Sequence, residues 1–407
     1  MQGPATRRVR VFEALRHRDF RLLFTGQLVS LIGDAAFVTA LGWRTFTLAG
    51  SAKLGIVLVC QAMALLATLL VGGALADRLS RRLMMIVSDL IRFAAVAALA
   101  VVDASGELSF GWIVVFAVLV GLGDGLFYPA FGGMVPLVVE QPSIASANSV
   151  IGLARWGSIL LGPAFAGFLY EPAGSAVVFA LDAATFLLSA AFVWMTRPRV
   201  IENAEDEGTL RGIVTGARYV AGTPWLWVTI TLFAVVLMLQ YAPQQVLLPK
   251  LVDEQWHRGI GSYAFLTTLL GVGTVAGTLL FGQVQPRRRR AVICYVAFVV
   301  NSLAIAGFAL SPWYELAGAL AVVRGVCIGF GVAIWETMLM ERVPDHLLSR
   351  VVSLDYFGSF GLMPVGLACS AAVVGLAEPS VLLAGGAAIS ALLIAAPLTR
   401  PWLREID

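Results

Sequence analysis

The stretch KLGIVLVCQAMALLATLLVGGALA, residues 53–76, followed at once by DRLSRR, residues 77–82, decides the fold. The first run carries one charge, Lys53, and no proline; the six residues after it carry Asp77, Arg78, Arg81 and Arg82. About 20 apolar residues at ~1.5 Å each cross the hydrocarbon of a bilayer. A basic cluster at the exit of such a run marks the cytoplasmic side.

The same alternation fills the chain. Of 407 residues 59% are hydrophobic and 13% charged, against about 25% charged in a soluble domain, so a soluble enzyme or a nucleic-acid binder is excluded. Splitting at charge clusters and at Pro and Gly places twelve spans at about 20–48, 53–76, 83–103, 110–138, 143–169, 175–196, 223–249, 259–284, 291–310, 313–340, 346–375 and 379–397. Several exceed 25 residues and imply tilt. The expected fold class is an all-α integral membrane protein, twelve transmembrane helices in two pseudo-symmetric six-helix bundles. Residues 1–196 form the first bundle, 197–222 a cytoplasmic linker and 223–407 the second. The linker holds Glu205, Asp206 and Glu207, then a basic amphipathic piece from Arg211 to Arg218 that reads as plain linker or as a surface helix.

Of the 28 basic residues, 21 fall in the N-terminal segment, the even-numbered connections and the C-terminus. Both termini are therefore expected in the cytoplasm. The only lysines, Lys53 and Lys250, do not follow glycine, so no P-loop is present. H-E-x-x-H is absent, and no metal or other cofactor is expected. Cys60, Cys294, Cys327 and Cys369 lie in apolar runs and read as small buried hydrophobes. Abundant Arg and Ala with scarce Lys point to a GC-rich bacterial genome, hence to a bacterial inner membrane.

The two halves repeat weakly. Gly72 to Arg82 follows span two as Gly282 to Arg290 follows span eight, the plan of transporters built from two parallel six-helix repeats. In the first of these loops Gly73, Leu75, Asp77, Arg78, Arg81 and Arg82 spell G-x-L-A-D-R-x-x-R-R, which resembles the signature loop of the major facilitator superfamily, with Ser80 where the family often has Gly. Gly26-Gln27, Gly33-Asp34, Asp89, Arg92, Pro129-Ala130, Ala147-Asn148-Ser149, and Gly162-Pro163 with Gly167 add to the match. The set is similar to the drug:proton antiporter-3 branch, which includes macrolide-efflux-like and enterobactin-exporter-like proteins. Gly162, Pro163 and Gly167 resemble the antiporter motif, with Ala166 where a Gly is expected. The resemblance implies a cytoplasmic gate around Gly73, Asp77, Arg78, Arg81 and Arg82, to which Asp89, Arg92 and Glu336 are assigned. It also implies a central cavity lined by spans 1, 4, 7 and 10.

Ionisable residues within spans cost about 2.5–3.5 kcal/mol each and are functional candidates. Asp34 and Asp124 fall mid-span at similar depth in spans one and four, and Arg155, mid-span in five, is in reach of either. These three read either as a static network or as a site for protons or substrate. Arg324 lies near the centre of span ten, where function and structure are evenly balanced. Asp89 and Arg92, at i and i+3, are expected to pair locally, and Asp182 has no assignment. Gln27, Phe37, Phe127, Tyr128, Gln240, Gln244 and Trp335 are expected to wall a cavity suited to a bulky amphipathic ligand.

The implied function is proton-coupled export of a hydrophobic or amphipathic small molecule, such as a drug, an antibiotic, a secondary metabolite or a siderophore. The expected partners are that solute, protons and the lipid bilayer, with no nucleic acid, and the protein is expected to be a monomer. A proton-coupled importer would use the same carboxylates. A non-transporting receptor or scaffold is the competitor from another class.

Overall fold

The computed structural model describes residues 12–76, 80–140, 143–199, 209–286, 288–400 and 403. The described chain is all helix: α1 Arg18–Ala49, α2 Ser51–Ala76, α3 Arg81–Ala104, α4 Phe110–Val138, α5 Ile144–Ala173, α6 Ser175–Met195, α7 Thr209–Gly222, α8 Pro224–Val236, α9 Ala242–Glu254, α10 Ile260–Val284, α11 Arg290–Leu310, α12 Tyr314–Arg342, α13 Asp345–Gly361, α14 Met363–Val373 and α15 Pro379–Ala395. Among the described residues twelve spans are long and apolar enough to cross a membrane, one of them made of α8 and α9 and one of α13 and α14. Large apolar side chains such as Phe168, Leu376 and Leu392 stay exposed, as expected where the surrounding medium is lipid rather than water.

Proline explains one of the broken spans. Pro243 has no N–H for the carbonyl four residues back, and the turn Leu237–Tyr241 between α8 and α9 is a π-helix, a wide turn frequent at functional sites. Within the segment expected as linker, α7 is helical and packs on α8 and α13. Gly216 sits against Arg350. The cysteines are free, but only Cys294 is buried and Cys369 is exposed, which corrects the expectation that all four are buried.

Two compact units are present: Met1–Val38 with Cys60–Glu202, and Thr39–Val59 with Asn203–Asp407. In the first, α3 packs along α4 and α6 over a core that includes Phe20, Met85, Phe127 and Met134. In the second, α12 packs along α10 and α11, and α11 along α15. Its core includes Tyr295, Phe298, Ile334 and Met338.

Each unit has a helix crossing that only glycine permits. A Cβ at Gly121 would overlap the Gln61 carbonyl, and one at Gly125 the Leu65 carbonyl, so α4 lies directly on α2. In the second unit Gly325 meets the Leu270 carbonyl and Gly329 the Thr274 carbonyl, so α12 lies on α10 in the same way. Small residues let membrane helices approach backbone to backbone, and close packing substitutes there for a hydrophobic drive. Gly329→Leu is therefore expected to lower the thermal unfolding midpoint of the purified protein, at a cost of about 1–3 kcal/mol or more. An unchanged midpoint would mean that the crossing can open.

Candidate functional site

Arg92 is eleven residues beyond the start of α3, about 16 Å along the helix, and therefore deep in the span. It is buried, held between the rings of Phe127 and Phe186 at 4.5 and 4.4 Å from their centroids. One end of the guanidinium donates to Asp89 one turn back. The other donates to Asp124 Oδ1 on α4 at 3.2 Å and faces Asp34 Oδ2 on α1 at 3.9 Å. One cation thus gathers carboxylates from three helices.

The surroundings hold this arrangement in place. Ser189 on α6 donates to Asp89 Oδ2 at 2.8 Å and accepts from Gln27 on α1 at 2.9 Å. Ser88 donates to the Gly123 carbonyl at 2.8 Å, which clamps α3 to α4. A Cβ at Gly123 would run into the Arg92 side chain, so glycine there makes room for the guanidinium stem.

A fourth carboxylate joins the cluster. Asp182 on α6 is buried, accepts from Thr185 at 3.3 Å, and its second oxygen has no hydrogen-bond partner among the described residues. It lies against Gly33, the neighbour of Asp34 in sequence, and interacts with the charges of Asp34, Arg92 and Asp124. Sequence reasoning left Asp182 unassigned. The signal was a stripe on α6: Asp182, Phe186 and Ser189, at i, i+4 and i+7, all face the cluster.

Several expectations change. Arg155 is exposed on α5 and makes no ion pair with Asp34 or Asp124 among the described residues. Both spans five and three carry an arginine at suitable depth, and the helix rotation, which depth does not fix, puts Arg92 beside Asp34 and Asp124. The local Asp89–Arg92 pair is present, but it belongs to the charge cluster within the span, where gate residues at the inner face had been expected. Gln27 and Phe37 are buried, Gln27 on Ser189 and Phe37 edge-on against Phe179, so neither walls an open cavity. Phe127 is buried under Arg92, while the adjacent Tyr128 is exposed.

Of the signature loop, Asp77 and Arg78 lie outside the described residues, and Gly73 belongs to α2. Arg81 donates to the Gly133 carbonyl at 2.7 Å. Arg82 donates to the Trp194 carbonyl and stacks over that indole. Both arginines therefore tie α3 to helix ends within their own unit. On α5, a Cβ at Gly162 would collide with Ala35 and press on the Ala36 nitrogen at 2.9 Å, so Gly162 with buried Pro163 brings α5 against α1 beside Asp34. Gly167 follows on the same helix.

Among the described residues of the second unit, Arg324 is the one buried charged side chain. Gln240, in the π-turn, donates to Ser302 at 2.7 Å and accepts from Asn301 at 3.4 Å. Arg324 on α12 donates to Gln244 on α9 and lies over Phe308. Trp335 donates to Asp355 at 3.1 Å and packs edge-on against Trp225. Glu336, one residue on, is exposed.

Residues 23–367 match the Major Facilitator Superfamily. The multidrug efflux pump Tap of Mycolicibacterium fortuitum is 27% identical over 407 aligned residues, covering 95% of this chain and 96% of the relative. Macrolide efflux protein A of Streptococcus pyogenes is 24% identical, covering 86% of this chain and 88% of the relative. Among solved structures, a point mutant of the nucleoside transporter NupG superposes with a TM-score of 0.75 at 12% identity, over 93% of this chain and 99% of that one. Helical architecture and family match agree: this chain belongs to the Major Facilitator Superfamily and is a membrane transporter, not an enzyme.

Proposed function

We propose that the chain is a proton-coupled exporter of hydrophobic or amphipathic small molecules, working by alternating access in a bacterial inner membrane with both termini cytoplasmic. The observation that carries this reading is the charge imbalance of the first unit, where Asp34, Asp89, Asp124 and Asp182 surround the single guanidinium of Arg92. A surplus of buried negative charge is costly in a low-dielectric span. Protons taken up from outside relieve it, and their release inside restores it. Such a cycle biases a two-state transporter in one direction.

The names of the similar pumps support export, one being a multidrug and the other a macrolide efflux protein. The test is accumulation of macrolides, cationic dyes and amphipathic carboxylates by everted membrane vesicles energised with a proton gradient. Protonophore-sensitive uptake into such vesicles is expected. Accumulation only in right-side-out vesicles would identify an importer, and no gradient-dependent flux across a broad panel would overturn the proposal.

Gly162 gives a further check. Gly162→Val would push α5 off α1 next to Asp34, and displacements of about 1 Å can slow a positioned reaction about 100-fold. Gradient-driven uptake by this variant is expected to fall by that order, with the amount of protein in the membrane unchanged. Uptake at the wild-type rate would separate the Gly162-Pro163 element from coupling.

A further inference from the structure

Arg92 and Arg324 are equally buried, each at 3% exposure, yet their surroundings are opposite. Arg92 has carboxylates on three helices. Among the described residues Arg324 has one hydrogen-bond acceptor, the neutral amide oxygen of Gln244, and a Phe308 ring 5.3 Å from its guanidinium carbon. Its Nε has no partner, and no carboxylate pairs with it among the described residues. A guanidinium offers five N–H donors, and a buried charge without a counter-ion is among the costliest groups a span can hold.

Gln244 is itself only half buried and stands beside the π-turn, which already departs from regular helix. A glutamine carbonyl holds a guanidinium in one point. A carboxylate holds it in two, with charge assistance, and displaces the amide readily.

We propose that Arg324, covered by Gln244, is an anion subsite of the second unit that receives the carboxylate of an amphipathic substrate. The proposal rests on the exporter reading and narrows it: the chain handles solutes that pair an apolar body with a carboxylate. Gln244 fills the subsite when it is empty and swings off when the carboxylate arrives. Phe308 supplies the apolar wall behind the guanidinium.

The test uses two probes of the same shape, 1-naphthoate and 1-naphthamide, binding to the purified full-length protein at neutral pH without any gradient. The wild type is expected to bind naphthoate about tenfold more tightly than naphthamide, the worth of a hydrogen bond to a charged group. Arg324→Gln is expected to erase that preference, Arg324→Lys to keep part of it, and Arg258→Gln, at an exposed ion pair with Glu315, to keep all of it. Should Arg324→Gln fail to fold, Gln244→Glu decides: a carboxylate built into the protein should occupy Arg324, raise the unfolding midpoint and abolish the preference. Equal binding of the two probes, no binding of naphthoate, or a preference that survives either Arg324→Gln or Gln244→Glu overturns the subsite. Because binding is read without a gradient, the subsite can stand when proton-driven export fails, and can fail when export is demonstrated.

Discussion

Asp34→Asn and Asp124→Asn are each expected to abolish proton-driven accumulation while leaving the protein folded in the membrane. The choice of these two among the four carboxylates follows from access. Asp34 is 35% and Asp124 17% exposed, whereas Asp89 and Asp182 are at 0% and 1%. A proton carrier has to meet water on one side and release on the other, so a carboxylate sealed on all sides serves poorly. Asparagine keeps the size of the side chain and an oxygen that Arg92 can bond, but it cannot change charge. With one proton per substrate, 100 mV and one pH unit supply about 3.7 kcal/mol, roughly a 500-fold concentration ratio. In everted vesicles either variant should bring that ratio down to about one, and residual flux should no longer respond to a protonophore. Stability should hold or improve, since one like charge leaves a crowded cluster. Full gradient-driven accumulation by both variants would remove Asp34 and Asp124 from coupling.

The sequence carried the spans well and the contacts poorly, for a physical reason. Hydropathy depends only on composition along the chain, so the span expected at 110–138 is the helix Phe110–Val138, and that at 175–196 is Ser175–Met195. The sequence alone can mark the glycines of α4 as packing sites, because nothing else in a span explains three of them at alternate positions, Gly121, Gly123 and Gly125, and each meets a neighbouring helix. Which arginine meets Asp34 and Asp124 was not legible, because depth is set by counting along the helix while facing is set by rotation about it. Arg155 has the depth but is exposed and pairs with neither carboxylate among the described residues; Arg92 has depth and rotation both. Asp182 could have been found by laying α6 on a wheel, where it shares a stripe with Phe186 and Ser189. The wide turn before Pro243 was only half legible: the proline predicts a broken ladder but not that the break takes the form of a π-turn with Gln240 inside it.

Arg92 is the residue whose loss should do most damage to the fold, and the damage can be separated from the loss of function. Arg92→Met fills the space between Phe127 and Phe186 with a flexible apolar chain, yet it leaves Asp89 sealed in the unit with, among the described residues, only Ser189 donating to it. Removing one partner of a buried pair costs about 3–5 kcal/mol, so the unfolding midpoint should drop sharply and transport should vanish. Arg92→Lys keeps the charge but forfeits the planar fork that reaches Asp89 with one end and Asp124 with the other; it should fold, with transport much reduced. The deciding variant combines Arg92→Met with Asp89→Asn. Replacing both members of a buried ion pair by neutral groups is often close to neutral for stability, so the midpoint should return toward that of the wild type. Transport should stay absent, because Asp34 and Asp124 still lack the cation against which their protons are exchanged. Recovery of transport together with the midpoint would make Arg92 a purely structural strut, and a wild-type midpoint in Arg92→Met alone would show that the cluster does not depend on it.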